Sequence, residues 1–363
     1  MRSSGFRIGA GVVGLSLLGA VSFGQSPPPS YGIDFVTVGA PGNPAYDGPD
    51  PNGNTIGHGS VPYEFRIGRT EITTAQYLEF YNTFAGTASP PPYFNALGPV
   101  FWGARRDLSY PGPGVHYALR PAPDAGMLPV GGLGWFDAAL YCNWLQNGKQ
   151  SDPASLLLGA YDTSLWNIPW IPGGPNTPWS HLPGAQYWIP TLDESLKAAH
   201  YDANRYGPGQ GGWWLYKNRS DQPGTPGPPG VGTTSAGYQL PDWGEWDIPL
   251  GAYPQSQSPW GLLDTSGGAQ EWTGTERYLT SFRREFTMTG SYAGQENIEL
   301  WDAIYGNGSA GPGGTGGVDG GLRIASAIPV PASLAPFCIT GLVLFTRKRK
   351  GETCSESRHT RPP

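Results

Sequence analysis

Between Gly261 and Thr273 the chain reads GLLDTSGGAQEWT, in which Asp264, Gly267, Ala269 and Glu271 follow one another at spacings of three, two and two, just ahead of Trp272. Two carboxylates seven residues apart, with Gly267-Gly268 between them, suit a tight loop folded around one hard cation. Such an ion takes oxygen ligands and accepts backbone carbonyls as well as carboxylates. Glycine tolerates positive φ and so lets a loop turn its carbonyls inward. The same letters also fit a surface turn that ends on a buried Trp, and spacing alone does not choose between the two.

Other chemistries have less to build on. The three cysteines, Cys142, Cys338 and Cys354, are odd in number and lie in unrelated segments, so they make no disulfide framework. Cys142 shares a helical face with Ala138, Tyr141 and Leu145, which reads as a buried small hydrophobe rather than a nucleophile. None of the five histidines forms an i, i+4 pair or a His-Cys spacing, so a zinc site has no support. The acidic and His residues form no recognisable acid–base or nucleophile–base arrangement.

The elements that must position these residues follow from periodicity and caps. Tyr31 to Gly39 and Tyr63 to Arg69 alternate as strands. Thr73 and Gln76 form a capping box, and Tyr77, Phe80, Tyr81 and Phe84 then give a helix one aromatic face. A second helix begins around Trp135-Phe136-Asp137. Tyr187-Trp188-Ile189 reads as a strand ended by Pro190, and Thr191 with Glu194 opens a third helix running to about Tyr201. His200 falls at its end. Residues 218–237 read as a flexible or polyproline-like loop. Phe286 to Tyr292 is a strand, and after a Gly-rich loop at 306–321 Leu322 to Ala325 is the last. No internal repeat stands out.

Composition sets the limits. Glycine (56) and proline (39) make up about a quarter of the 363 residues, yet there are 14 Trp, 19 Tyr and 13 Phe, which disordered chains avoid. A loop-rich globular domain with an aromatic core satisfies both. The formal charge is −6, but residues 25–346 hold 14 Lys/Arg against 26 Asp/Glu. That acidic body is compatible with divalent cations and argues against nucleic acid, which needs a basic face.

The two ends carry targeting patterns. Residues 1–24 read as a secretory signal peptide, with Arg2 and Arg7 ahead of the apolar Ile8–Val21 and with Ser22-Phe23-Gly24 at the cleavage site, so the exported chain starts near Gln25. A retained membrane anchor is the alternative. At the other end Pro329-Val330-Pro331 precedes the apolar Ala332–Thr346 and the basic Arg347–Lys350. Fifteen residues rise only about 22 Å, short of a roughly 30 Å hydrocarbon core. Residues 328–350 resemble the PEP-CTERM sorting signal of exported bacterial proteins, and this resemblance implies a sorting machinery as partner and envelope attachment through the hydrophobic helix. Val330 stands where that signal has Glu, and a polar tail, 351–363, follows. An ordinary single-span anchor is the alternative.

Between the ends, six segments in order resemble the sulfatase-modifying-factor family, whose named member is the formylglycine-generating enzyme. They are RIGRTEITTAQYLEF (66–80), LPVGGLGWFDAALYCNWL (128–145), YWIPTLDESLKAAHYD (187–202), WGLLDTSGGAQEWT (260–273), TGSY (289–292) and GLRIAS (321–326). The resemblance covers a domain at 25–327. It implies an α+β fold, a formylglycine-generating-enzyme-like variant of the C-type lectin fold that is loop-rich, with few helices and short strands. It also implies a calcium ion held by Asp264, Gly267, Ala269 and Glu271. Ser195 and Gly268-Ala269-Gln270 depart from the family pattern. So do the positions of the enzyme's two copper-binding cysteines, which fall here on Gly294 and Glu299; copper is therefore not expected. The expectation is an exported, envelope-associated, non-catalytic binding or structural module with an extracellular ligand or envelope component as partner. An enzyme of altered chemistry and an accessory factor in sulfatase maturation are the alternatives.

Overall fold

Thr73 accepts a hydrogen bond from Gln76 N–H while the Gln76 side chain accepts from Thr73 N–H, and this box starts the first helix where the sequence places it. The structure is a computed structural model, which describes residues 28–86, 103–166, 179–280, 283–311 and 319–328. The leader at 1–24 and the sorting-signal and tail segments from 329 onward lie outside them.

In chain order the elements are β1 (Phe35–Val38), β2 (Phe65–Gly68), α1 (Thr74–Ala85), β3 (Ala104–Arg106), β4 (Tyr117–Leu119), α2 (Trp135–Gln146), β5 (Tyr187–Trp188), α3 (Leu192–His200), β6 (Tyr201–Asp202), β7 (Gly212–Trp213), β8 (Gln270–Thr280), β9 (Arg283–Thr289), α4 (Ile298–Trp301), β10 (Asn307–Ala310), β11 (Gly320–Gly321) and β12 (Ala325–Ser326). One sheet runs β1-β2-β12-β5, a second β10-β9-β8-β11, and β3-β4 and β6-β7 are separate pairs. In the first sheet Ala325 lies opposite Ile67 on one side and Trp188 on the other, so β12 closes the domain by pairing with strands from far earlier in the chain. In the second, Glu271 of β8 faces Thr289 of β9 and, in parallel register, Gly321 of β11. This mixture of few helices, short strands and much ordered loop is the α+β architecture expected from the sequence.

The core is aromatic. Tyr77, Phe80, Tyr81 and Phe84 on α1 are all buried, and Phe80 packs against Tyr141 and Trp144 of α2. Trp135, at the start of α2, stacks on Phe286 of β9 with ring centroids 3.8 Å apart. Its indole N–H donates to the Thr273 carbonyl, and that of Trp272 to the Leu133 carbonyl, so both polar edges are satisfied inside the core. Cys142 is fully buried, and burial pushes its thiol well up, away from the thiolate a nucleophile needs.

Three readings from the sequence change. Residues 218–237 are loop, as expected, but one tied down by side-chain hydrogen bonds. Thr225 and Thr233 bond to one another, and the hydroxyl of Thr234 donates to the Ser266 carbonyl at 2.9 Å. Threonine side chains supply the order that periodicity does not show. The last strand is shorter and later than Leu322–Ala325, because Arg323 turns inward and β12 begins only at Ala325. Finally, the strand expected at Phe286 to Tyr292 is β9, Arg283–Thr289, which pairs with β8 as a long hairpin whose register shifts hide the alternation.

Candidate functional site

The loop of residues 264–269 is held from several sides by other parts of the chain. Asp264 takes φ 53° and accepts from the Gly251 N–H at 2.6 Å. Lys217 Nζ donates to the Thr265 carbonyl at 2.9 Å, and Gly267 N–H donates to Ser291. Ala269 N–H points between the two oxygens of Glu71, at 3.0 and 3.1 Å. Gly268 must be glycine here. At φ +71° a Cβ would stand 2.5 Å from Glu71 Oε1.

Glu271 leaves this loop at the start of β8 and meets Arg323. Both Nε and Nη2 of Arg323 donate to Glu271 Oε1, at 2.9 and 2.7 Å. The same guanidinium donates to the carbonyls of Gly68, Arg69 and Leu263, so one buried side chain joins the end of β2, the loop and β8. The four expected ligand residues thus lie on the loop and at the start of β8. Asp264 and Glu271, however, each already have a protein partner on one carboxylate oxygen.

Four carboxyl groups crowd around the loop. Glu71, Asp264, Glu271 and Asp302 face the two cations Arg323 and Lys217 in a largely buried setting. Burial, with Glu271 next, drives the Glu71 carboxyl well above the usual carboxylate range. Burial also raises Asp264 to about 6. Asp302 is raised by burial while its hydrogen bonds from Ser266 and Ser291 work the other way. An oxygen-rich, electron-rich enclosure of this kind fits a hard cation chemically. Among the described residues no three His, Cys, Asp or Glu side chains converge on one point, so the Gly267 and Ala269 carbonyls would have to complete any such ligand set.

Next to the loop lies an open pocket of about 520 Å³, lined by residues 239–245 and 292–297. The two meet directly, because Ala293 N–H donates to the Gly268 carbonyl and Gly294 N–H to the Ser235 carbonyl. Glu245 stands in the wall, buried, and accepts from Leu240 N–H at 3.0 Å. Asp242 and Trp243 adopt left-handed backbone in succession, φ 56° and 61°, and Trp243 is 62% exposed. Tyr292 lies nearly parallel to Trp246, ring centroids 6.2 Å apart.

Of the two positions that the sequence matches to the copper cysteines, one lines this pocket and the other does not. Gly294 lines the pocket at φ +79°, and Glu299 sits exposed on α4, its carbonyl accepting from Tyr216 Oη. Sequence reasoning missed the Glu245 wall and the Trp243 face. The signal was present in Pro241-Asp242-Trp243-Gly244-Glu245-Trp246, two Trp in a turn-forming, acidic stretch, but no periodicity singled it out. It missed Glu71, Lys217, Asp302 and Arg323 for a different reason. Their burial depends on long-range pairing.

The model of the sulfatase-modifying factor enzyme 1-like domain matches residues 37–322. Among solved structures the chain is similar to CarF, with 20% identity and TM-score 0.50, over 82% of this chain and 99% of that one. It is also similar to Treponema denticola variable protein 1, with 15% identity and TM-score 0.42, over 81% and 95%. No curated protein matches it.

Proposed function

The chain belongs to the sulfatase-modifying factor enzyme 1-like domain family, and we propose that it serves there as an exported, envelope-associated binding or structural module without the family's thiol chemistry. One observation carries this reading. Gly294 and Glu299 stand at the two cysteine positions, and the space beside Gly294 belongs to Glu245, whose Oε1 a Cβ would approach to 2.7 Å. Soft sulfur ligands are what copper(I) demands, and this wall offers a hard carboxylate instead. A pocket of several hundred Å³ that lacks the reacting atoms is a place to bind.

Calcium belongs to the same proposal. Asp264 and Glu271 carboxylates with the Gly267 and Ala269 carbonyls would hold it, and it would supply positive charge to an enclosure crowded with carboxyl groups. Export through residues 1–24 and attachment through 328–350 complete the reading, with an extracellular ligand or envelope component as partner. A chain stopped at Ala327 should then be released.

Copper binding tests the proposal. A Cys338→Ser/Cys354→Ser chain keeps Cys142 as its single thiol, inside the core. It should compete with a copper(I) chelator no better than buffer does. A stoichiometric copper(I) site in that chain would overturn the reading.

A further inference from the structure

The pocket beside Gly294 has a definite charge and a definite face. Asp242, Glu245 and Glu296 line it together with Gln239, Trp243 and Tyr292, and among the described lining residues there is no Lys, Arg or His. Asp247, the next acid on the same stretch, is already paired with Arg120. Glu245 is 5% exposed, so its charge sits in a wall of low dielectric where its field is least screened. Two successive left-handed non-glycine residues, Asp242 and Trp243, are strained and persist only where surrounding structure enforces them. What this strain achieves is visible. It holds a large indole out at the pocket rim, 62% exposed, where burial would ordinarily draw it in.

A carboxylate wall with an aromatic rim selects against anions and favours a cation that can lie on a ring. We infer that this pocket binds an organic cation, a guanidinium or ammonium group carried on a short chain, with the Trp243 indole as its face and Glu245 as its buried counter-charge. The inference rests on the reading that this site binds rather than turns over, and it adds the chemical class of what is bound. Asn297 offers an amide group for the uncharged part of the ligand, while those of Gln239 and Gln295 already donate to Glu296.

The experiment titrates the whole exported chain with L-arginine amide, following Trp fluorescence and heat, beside L-citrulline amide as the uncharged isostere and maltotriose as a neutral saccharide. Arginine amide should bind saturably, about tenfold or more tighter than citrulline amide, and should weaken as salt shortens the screening length. Glu245→Gln keeps an acceptor for Leu240 N–H, and it should weaken arginine amide about tenfold while leaving the melting temperature near that of the wild type. Trp243→Ala, at an exposed rim position, should do the same. Equal binding of the arginine and citrulline amides would overturn the inference. So would preferential binding of maltotriose, or no saturable binding up to about 10 mM, the weak end of useful affinity. Each of these leaves the copper result untouched, so the two readings fail separately.

Discussion

Arg323 and Glu271 form a buried ion pair at 2.7 Å, with 1% and 13% of their side chains exposed. The geometry is that of a hub. The five donors of a guanidinium meet one carboxylate oxygen and three backbone carbonyls, and a lysine could not reproduce that fork. Arg323→Lys should therefore destabilise the domain strongly, and Arg323→Met more so, by roughly 3–5 kcal/mol, since Glu271 would be left buried without its cation. Denaturant unfolding of the three proteins checks this.

Glu271 of this pair and Asp264 are the two carboxylates proposed to hold calcium. Thermal melts of the wild type should rise with millimolar calcium by a few degrees, much less with magnesium, and fall with chelator. Binding contributes RT ln(1 + [L]/Kd), about 1–3 kcal/mol at ten to a hundred times Kd, and extracellular sites are often as weak as about 10⁻⁴–10⁻³ M. Asp264→Ala should remove the difference between calcium and chelator. Glu271→Ala should remove it too, but should also lower the melting temperature in chelator, because Arg323 loses its partner. Identical wild-type melts in both conditions would show a loop that needs no ion.

Much of this architecture is legible in the chain itself. The capping boxes at Thr73 and Thr191 mark the two helix starts without tertiary help, since each is made within four residues. The aromatic face of α1 follows from helical spacing. The loop at 264–271 stands out by its letters. What the sequence does not show is set by distance along the chain. Glu71 reads as one more polar residue in TEITT until Ala269 N–H, 198 positions later, comes to its carboxylate. Glu245 reads as a surface acid until the left-handed turn at Asp242-Trp243 presses it against Gly294. Local pattern reports helices and caps, while the chemistry of this site lies in pairings that only the folded chain makes.

Returning a cysteine to position 294 should be costly. The backbone there is at φ +79°, disfavoured for any side chain, and the nearest obstacles are Glu245 Oε1 at 2.7 Å and Cγ at 3.1 Å. Gly294→Cys should lose roughly 1–3 kcal/mol of stability. Adding Glu245→Ala should recover only the part due to collision, leaving the backbone term. Chemical denaturation of the single and double variants separates the two contributions.

His200 supplies a pH test. It is buried at the end of α3 with Nδ1 against the Trp214 carbonyl, and burial, with the nearby Lys217, holds its imidazole well below the usual pKa. The folded state therefore prefers it neutral. Its contribution to stability is full above the unfolded value near 6.5 and is lost as pH falls below it, by about 1.4 kcal/mol for each pH unit until the folded value is reached. Stability of the wild type relative to His200→Gln should fall between about pH 6.5 and pH 5. A difference that stays flat over that range would show that His200 titrates normally.

The central claim is that the site at Gly294 no longer carries out thiol oxidation. The most direct measurement incubates the whole chain with copper(I), oxygen and a Cys-x-Pro-x-Arg peptide and reads the peptide by mass. The thiol mass should stay unchanged, equal to a control without protein. Conversion of that thiol to an aldehyde above the control would contradict the claim.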